Sequence, residues 1–550
     1  MRAKRRRQRT QFGRRKFFKY AASAAAVGAL TPTELIAQRG RGRGRGGGQP
    51  QAPQTPLPTL GNGEPPAIQF QAYPGGTGAY MERVARERGR TAFERSVFTV
   101  EPWSGPVPTS DEEIAFLPVH RLSALVGERR LSSVDLTDIY LRRLKQHDET
   151  LLFTVTLMED QAREAARQAD AEIRSGRYRG PLHGIPWGVK DLFSTRGVPT
   201  TWGAEDFRDQ VIDEDAEVVV RLREAGAVLL AKLATGQFAS GDNWFRGQTR
   251  NPWNPEQGSS GSSAGPASAT AAGCVAFGIG TETQGSIISP ARRCGLSALR
   301  PTFGRISRYG GMVLAWSMDK VGPLCRTIED CALVFNTIHG VDEKDPATVT
   351  APFRWERDLD LAALKIGYAD DAPEAFVEKL RELGARPVPM PDRPSMNISS
   401  LGVESAAAFD FYASKLAEAE PDPPAEPVEP AGGRGGRGRG GRGGRFTRGR
   451  TTTALDYLQS QRHRQLLIRE MAGVMGDFDM YVSGSGDIRL TNQTGHPSAV
   501  VPYTFGGEDH QQPQCVMLIG NLSADDKMLA VAHAYQQATD WHERHPTLPG

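Results

Sequence analysis

The residues best suited to chemistry lie between Gly261 and Gly310, where serines stand in two loops of small side chains. Ser262 and Ser263 open the stretch, an Ala-rich segment typical of a helix follows, and a short apolar run predicts a buried strand. Ser286 stands in the second loop, where another helix should begin. Consecutive N–H groups in such a loop can form an anion-binding concavity, and a helix N-terminus adds a favourable dipole. The stretch therefore predicts a site that stabilises an oxyanion.

Other kinds of site are disfavoured. No G-x-G-x-x-G follows a predicted strand and no G-x-x-x-x-G-K-[ST] occurs, so a phosphate cradle is not indicated. The segment His542-Glu543-Arg544-His545 lacks the spacing of a zinc-binding H-E-x-x-H motif. The five cysteines form no Cys-x-x-Cys pair and are interpreted as small buried apolar residues, with a Cys325–Cys331 disulfide left open. We expect neither a metal nor a cofactor.

The stretch resembles the signature of the amidase-signature family, whose common form is G-G-S-S-G-G-S, an Ala-rich helix and T-D-T-G-G-S-I-R. That family uses a lysine, a serine held by a cis peptide and a nucleophilic serine. Matched residue by residue, the resemblance gives the lysine position to Lys190, the bridging position to Ser262 and the nucleophile position to Ser286. The two serines are 24 positions apart, as in the ungapped motif.

The chemistry of these three residues is coherent. A serine hydroxyl is a weak nucleophile and needs a base, which a buried neutral lysine can supply. The hydroxyl of Ser262 can donate and accept at once, so it can relay a proton from Ser286 towards Lys190 and return it to the leaving amine. The developing oxyanion would be held by backbone N–H groups of Thr283, Gln284, Gly285 and Ser286.

Several positions depart from the family's pattern. They are Glu282 for aspartate, Gln284 for the first glycine, Ile288 for arginine, and Ala264-Gly265-Pro266 for Gly-Gly-Ser. In the family the aspartate and the arginine are expected to brace each other. We therefore expect Arg292 or Arg293 to compensate for their loss. Because all three catalytic positions are retained, an active enzyme is favoured over an inactive homologue.

The surrounding elements predict an α/β fold. Short apolar strands are indicated near residues 184–191, 227–231 and 275–279, and they alternate with amphipathic helices near residues 133–141, 160–175, 456–475 and 525–541. The resemblance implies one large amidase-signature domain over residues 109–550, with a mixed central β-sheet covered by helices. Isolated tryptophans such as Trp187, Trp244, Trp253 and Trp316 can line a pocket but are more often packing residues.

The N-terminal region resembles a twin-arginine export signal. A basic segment with Arg14 and Arg15 precedes an Ala-rich apolar run over residues 20–30, which is too short to span a bilayer. Residues 1–37 are therefore expected to be a removable signal, and the mature protein to be periplasmic or extracellular. Residues 38–108 are expected to form a low-complexity linker and an N-terminal extension. No other stretch is long and apolar enough for a stable membrane span.

A second low-complexity tract interrupts the predicted domain at about residues 419–450. It begins acidic and proline-rich and continues as Gly-Gly-Arg repeats, which predicts a disordered insertion. Such repeats can make weak contacts with polyanions, although a solvated linker is the favoured interpretation. The net charge of +3 gives the body of the protein no evident polyanion-binding character.

Three functions are compatible with these features. The first is an amide-bond hydrolase that acts on a small-molecule or acyl amide through an acyl-enzyme. The second is a glutaminase-type amidotransferase A subunit, which an export signal disfavours because the tRNA substrate is cytoplasmic. The third is a catalytically impaired homologue that acts as a binding protein. The sequence specifies neither the natural substrate nor the oligomeric state.

Overall fold

The computed structural model describes residues 73, 75–396, 398, 401–410, 412, 448–484, 487–506 and 512–548. The expected export signal, the linker up to residue 72 and the Arg/Gly-rich part of the insertion up to residue 447 lie outside the described residues. No described helix is both long enough and apolar enough to cross a membrane.

The described core is one mixed sheet of eleven strands. Along the sheet the order is β1-β3-β2-β8-β10-β9-β14-β15-β13-β11-β12, and two small hairpins, β4-β5 and β6-β7, lie outside it. The strands are β1 Thr154–Leu157, β2 Pro186–Lys190, β3 Val228–Leu233, β4 Asn243–Trp244, β5 Gly247–Gln248, β6 Arg250–Asn251, β7 Asn254–Gly258, β8 Phe277–Glu282, β9 Ser297–Arg300, β10 Lys320–Cys325, β11 Ile366–Tyr368, β12 Val388–Pro389, β13 Met480–Ser483, β14 Ser498–Gly506 and β15 Gln512–Gly520.

Helices cover both faces of the sheet. They are α1 Thr77–Arg88, α2 Asp111–Phe116, α3 Val119–Gly127, α4 Ser133–Leu151, α5 Glu159–Arg174, α6 Glu217–Glu224, α7 Ala264–Ala271, α8 Ile288–Cys294, α9 Ile328–Ile338, α10 Glu374–Glu382, α11 Leu401–Ala408, α12 Ala454–Met475, α13 Ile488–Thr494 and α14 Asp525–Gln537. Along β14, Ala499 and Val501 join one hydrophobic cluster with α4, α9 and α14, whereas Val500 joins another with α8 and α12. This alternation places apolar residues on both faces, and the predicted α/β fold with a helix-covered mixed sheet is confirmed.

Helix α4 shows how the local sequence starts a helix. The sequence predicts Ser133 as its cap, but the cap is Ser132, whose side chain accepts a hydrogen bond from the N–H of Asp135, and Ser133 is the first helical residue. Leu136, Ile139 and Tyr140 are buried at the spacing of one helical face.

Part of the N-terminal extension packs against the domain. Helix α1 lies within residues 38–108, and its Tyr80 and Val84 form a small cluster with Tyr73, Phe303 and Leu522. The Tyr80 hydroxyl donates to the carbonyl of Leu522. Regular structure therefore begins earlier along the chain than residue 109.

The order of the strands positions the candidate site. Strands β2 and β8 are parallel neighbours, with Gly188 opposite Gly278 and Val189 opposite Ile279, so their carboxyl ends meet at one edge of the sheet. Strand β10 runs antiparallel to β8 and begins at that same edge, with Lys320 opposite Glu282. Ligands of open α/β sheets commonly bind outside the carboxyl ends of the strands.

Candidate active site

Lys190 is the last residue of β2, and its side chain points into a fully buried environment. Its Nζ lies 2.8 Å from Ser262 Oγ, 2.8 Å from Thr281 Oγ1 and 3.4 Å from the carbonyl oxygen of Thr281. No carboxylate among the described residues forms an ion pair with it. The lysine therefore faces hydroxyl and carbonyl groups rather than a counter-charge.

The environment of Lys190 favours the neutral amine. Burial lowers the pKa of Lys190 to about 7, and the more distant carboxylates of Asp319 and Glu282 only partly oppose this effect. A neutral amine has two N–H donors and one lone pair. The two oxygens of Thr281 can accept the donors, and the Ser262 hydroxyl can donate to the lone pair. The partners of Lys190 thus match a base.

Ser262 and Ser263 lie just before helix α7, and the peptide bond between Gly261 and Ser262 is cis, as the resemblance implies. The Ser263 hydroxyl donates to the Thr281 carbonyl at 3.1 Å and accepts from the Thr281 N–H at 3.2 Å. A side chain at Gly280 would stand 2.5 Å from Ser263 Oγ, so this close approach requires a glycine. The serine pair is thereby held against the end of β8.

The same serine pair contacts the loop that carries Ser286. The N–H of Ser263 donates to the carbonyl of Ser286 at 3.1 Å. Lys190, Ser262 and the Ser286 backbone therefore lie together, as the resemblance requires. Ser286 itself is half-buried, whereas Ser262 and Lys190 are almost fully buried. The outermost member of the set is thus the predicted nucleophile.

The loop between β8 and α8 presents free backbone donors. Among the described groups, none accepts a hydrogen bond from the N–H of Thr283, Gln284, Gly285 or Ser286. Gly285 has φ of +99°, which favours glycine, and the Gln284 side chain is exposed. These four N–H groups are the ones that the sequence predicts for the oxyanion.

The side chain of Glu282 holds the loop between β8 and α8 in position through hydrogen bonds. Its Oε2 accepts from the N–H groups of Ile287 and Ile288 at 2.8 and 2.9 Å, and so caps the start of α8. Its Oε1 accepts from Arg300 Nη1 at 2.9 Å and from Asn492 Nδ2 at 2.7 Å. Burial opposes the charge, but Arg300 and these hydrogen bonds keep the pKa of Glu282 below its usual value.

The expectation that Arg292 or Arg293 braces Glu282 is wrong. Arg293 is exposed and donates to Gln257 Oε1 at 2.9 Å, while Arg300 on β9 makes the buried ion pair. The longer glutamate reaches across β10 to a partner two strands away. Arg300 on strand β9 thus compensates for the loss of the family's arginine at position 288 in helix α8.

Asp319 connects the loop to a neighbouring wall. One carboxylate oxygen accepts from Thr283 Oγ1 at 2.5 Å, and the other accepts from the N–H groups of Leu314 and Ala315 at 2.8 and 2.9 Å. Burial raises the pKa of Asp319 in spite of these hydrogen bonds. This acid is therefore a positioning residue for the oxyanion loop.

A pocket of about 250 Å³ opens beside these groups. Thr281 and Thr283 form one wall together with Asp319, and the segment from Arg308 to Trp316 forms much of the rest. Trp187 is buried against Phe277, whereas Trp316 lines the pocket and is 45% exposed. The pocket is wide enough for a small organic group next to Thr281, which contacts Lys190, and Thr283, which begins the loop that leads to Ser286.

The other reactive side chains have structural surroundings. His183 Nδ1 accepts from the N–H of Arg179 at 3.1 Å, and His496 Nδ1 lies 2.8 Å from Thr494 Oγ1. Burial lowers the pKa of His496 to about 3, so it is neutral. The five cysteines are buried and free, and the described part of the chain contains no group of three or more His, Cys, Asp or Glu residues suited to a metal.

Two features of the site were not anticipated from the sequence. Thr281 contacts Lys190 with two oxygens, and Asn492 donates to Glu282 from a helix 210 positions further along the chain. Thr281 lies inside the motif that carries the resemblance, so its presence in the site could have been predicted from the sequence. Asn492 offers no such signal, because only the fold brings it to the site.

Comparisons with known proteins show the family to which the chain belongs. The Amidase family profile matches residues 135–491. The chain is 33% identical over 479 residues to the A subunit of glutamyl-tRNA(Gln) amidotransferase from Methylococcus capsulatus and 34% identical over 470 residues to that from a Roseiflexus species, covering 77% and 76% of this chain and 97% and 96% of those proteins. The peptide amidase of Stenotrophomonas maltophilia has a similar structure, with a TM-score of 0.66, 28% identity and coverage of 79% of this chain and 99% of that one. This chain therefore belongs to the amidase-signature family and is an amide-hydrolysing enzyme.

Proposed function

We propose that the protein hydrolyses an amide bond through an acyl-enzyme, with Ser286 as the nucleophile, Ser262 as the proton relay and Lys190 as the base. The observation that carries the proposal is the 2.8 Å contact between Lys190 Nζ and Ser262 Oγ, at a lysine that forms no ion pair with any described carboxylate. The backbone contact from Ser263 to Ser286 supports it, because it brings the third residue to the same place.

The proposed reaction has two halves. Ser286 Oγ attacks the amide carbonyl carbon while its proton passes to Ser262 and the proton of Ser262 passes to Lys190. The resulting oxyanion is stabilised by the free N–H groups of residues 283–286. The intermediate then collapses, the C–N bond breaks, and the leaving amine takes the proton back through Ser262. A water molecule attacks the ester with the same relay, and the carboxylic acid is released.

Covalent labelling tests the nucleophile directly. A fluorophosphonate probe should label the protein, and mass spectrometry should place the adduct on Ser286. Ser286→Ala should abolish both labelling and amide hydrolysis. Ser289→Ala is the matched control, since it removes a hydroxyl one turn further along the chain and should be labelled normally. Equal labelling of wild type and Ser286→Ala would show that another residue is the nucleophile.

A second candidate is a glutaminase-type amidotransferase A subunit, which the relatives named as such subunits favour. Ammonia release from L-glutamine, measured beside release from simple carboxamides, discriminates the two. A catalytically impaired binding protein would show neither activity nor labelling. Deleting residues 431–450 tests the binding alternative, because an enzyme should keep its activity while a polyanion contact made by the Arg/Gly tract should be lost.

The location of the enzyme is a separate proposal. We propose export by the twin-arginine pathway, with residues 1–37 removed and the mature protein in the periplasm or outside the cell. The support is the pair Arg14 and Arg15 before a short apolar run. Replacing both arginines by lysine should retain the protein in the cytoplasm. Unchanged export of that variant would contradict the assignment.

A further inference from the structure

The pocket beside the candidate site has an apolar inner surface. Leu192, Phe193 and Ala239 come from the segments that follow β2 and β3, and Met312, Val313 and Leu314 come from the loop before β10. Val313 and Trp316 are 37% and 45% exposed, so two large hydrophobic side chains that line the pocket also contact solvent. Exposed apolar groups around a concave site favour an apolar ligand.

The charged side chains at the pocket are already matched by partners. Arg308 makes a two-point contact with Asp345, at 2.8 and 2.7 Å, and its remaining nitrogen donates to the carbonyl of Trp316. Lys344 lies 3.6 Å from a carboxylate oxygen of Glu217 and stands over the ring of Tyr309. An Arg–carboxylate fork of this kind has little capacity left for a second carboxylate.

The charged side chains of Asp319 and Lys320, which also line the pocket, have hydrogen-bond partners as well. Asp319 uses both oxygens on Thr283, Leu314 and Ala315. The amine of Lys320 is buried and donates to the carbonyl of Met318. Burial raises the pKa of Asp319 and lowers that of Lys320 well below its usual value, and both changes reduce the charge.

We infer that this pocket binds an uncharged apolar group that flanks the scissile amide, and that Trp316 and Val313 are specificity-determining residues at its mouth. The inference rests on the proposed function, because it names the class of substrate for the same site. An aliphatic or aromatic carboxamide fits the lining. A free α-amino acid amide such as L-glutamine does not, since its ammonium and carboxylate groups would lose hydration without gaining partners among the described lining residues.

Substrate length tests the inference. Ammonia release should be measured for acetamide, butanamide, hexanamide and 4-phenylbutanamide, which extend the acyl side, with L-glutamine for comparison. N-alkyl acetamides of matched length extend the amine side and show which side of the bond enters the pocket. We expect kcat/KM to rise at least ~20-fold from acetamide to hexanamide in one of the series. Flat rates in both series, or a preference for L-glutamine, would overturn the inference.

Two variants assign the effect to the mouth of the pocket. Trp316→Ala should lower kcat/KM about tenfold for 4-phenylbutanamide or, if the amine side enters the pocket, for the phenyl-bearing N-alkyl acetamide of matched length. The same variant should change kcat/KM for acetamide less than about twofold. Val313→Asp places a charge on the apolar rim and should act in the same direction. Val388→Asp is the matched control, because it makes the same change at a valine that is 50% exposed on β12 at the far edge of the sheet. Equal effects of Val313→Asp and Val388→Asp would contradict the assignment.

A binding measurement separates this inference from the catalytic proposal. Ligand-detected NMR titration of 4-phenylbutanamide and its N-alkyl counterpart into Ser286→Ala needs no turnover, so it tests the pocket even if the roles proposed for the catalytic residues are wrong. Binding of either compound that Trp316→Ala weakens about tenfold supports the inference. Absence of binding of both to Ser286→Ala overturns it, while failure of Ser286 to react with the fluorophosphonate overturns the catalytic proposal alone.

Discussion

Two fully buried lysines lie on adjacent strands and have opposite surroundings. Lys232 on β3 donates to the carboxylate of Asp191 at 2.8 Å and to Thr200 Oγ1 at 2.8 Å. Among the described residues, the hydrogen-bond partners of Lys190 on β2 are the hydroxyl groups of Ser262 and Thr281 and the carbonyl oxygen of Thr281. The two strands are parallel and paired, with Val189 opposite Lys232. The side chains of Lys190 and Lys232 are equally buried.

The comparison separates a lysine held in an ion pair from the lysine proposed as the base. Burial lowers the pKa of both lysines, but only Lys232 has a carboxylate beside it that opposes the effect directly. A lysine paired with a carboxylate holds two segments of chain together. A lysine surrounded by hydroxyl groups can instead gain or lose a proton near neutral pH. The next four predictions test this distinction, beginning with the largest expected effect.

Lys190→Met should remove the base while keeping a side chain of similar bulk. Acylation, measured by fluorophosphonate labelling or amide hydrolysis, should fall by ~10²- to 10⁴-fold. The free energy of unfolding at pH 7 should not decrease. The pKa of Lys190 is about 7 in the folded protein and about 10.4 in the unfolded chain, so the unfolded state binds more protons between these two pH values. The burial of this lysine therefore destabilises the folded protein most at low pH, and the free energy of unfolding increases as pH rises through that range. Unaltered turnover would show that another group is the base.

Lys232→Met should have the opposite outcome. Asp191 would remain buried, still bonded to Thr201 but without its counter-charge, so the free energy of unfolding should fall by about 3–5 kcal/mol. Chemical denaturation of the purified variant measures the loss. Protein that remains folded should retain the nucleophile and react with the fluorophosphonate. A variant as stable as wild type would mean that the two lysines differ less than their contacts indicate.

The pH dependence tests the protonation state of Lys190 in the intact enzyme. The relay needs the neutral amine, and the pKa of Lys190 is about 7, so the rate of Ser286 labelling should rise about tenfold between pH 6 and pH 8 and then level off. Labelling of Thr281→Val serves as a comparison, since its rate should still rise with pH but reach a plateau roughly fivefold lower. A profile that is flat from pH 6 to pH 8 would contradict a titrating base.

Thr281→Val should give the smallest effect. It removes the hydroxyl that lies 2.8 Å from Lys190 Nζ but leaves the carbonyl contact and the contact with Ser262. The loss of one hydrogen bond of about 1 kcal/mol corresponds to roughly a fivefold lower rate. The comparable change beside the other lysine, Thr200→Val, should leave the labelling rate unchanged. A loss as large as that of Lys190→Met would give Thr281 a direct part in proton transfer.

The local elements were accessible from the sequence because they follow short-range patterns. Strands β2, β3 and β8 and helices α4, α5 and α12 lie where periodicity and apolar runs indicate them. The positions of Ser262 and Ser286 came from one motif of local spacing, whereas that of Lys190 came from a separate match to the family 72 positions before Ser262. Fine boundaries were less accurate, as at Ser132, because neighbouring serines compete for the same cap.

Long-range contacts could not be predicted in the same way. The ion pair between Glu282 and Arg300 depends on β10 lying between β8 and β9, an order that no local pattern specifies. The docking of α1 likewise depends on Leu522, more than 400 residues away in the chain. In both places the sequence supplies suitable side chains, and the topology decides which of them meet.

The carboxylate of Asp319 has a consequence for how new specificities could be selected in this enzyme. Because one oxygen holds the loop of Thr283 and the other holds Leu314 and Ala315 in the pocket wall, the two surfaces are mechanically joined through a single side chain. A substitution that reshapes the wall will also shift the donors that receive the oxyanion. Laboratory evolution towards bulkier amides should therefore accumulate paired changes in both loops, with single changes in the wall trading turnover for affinity.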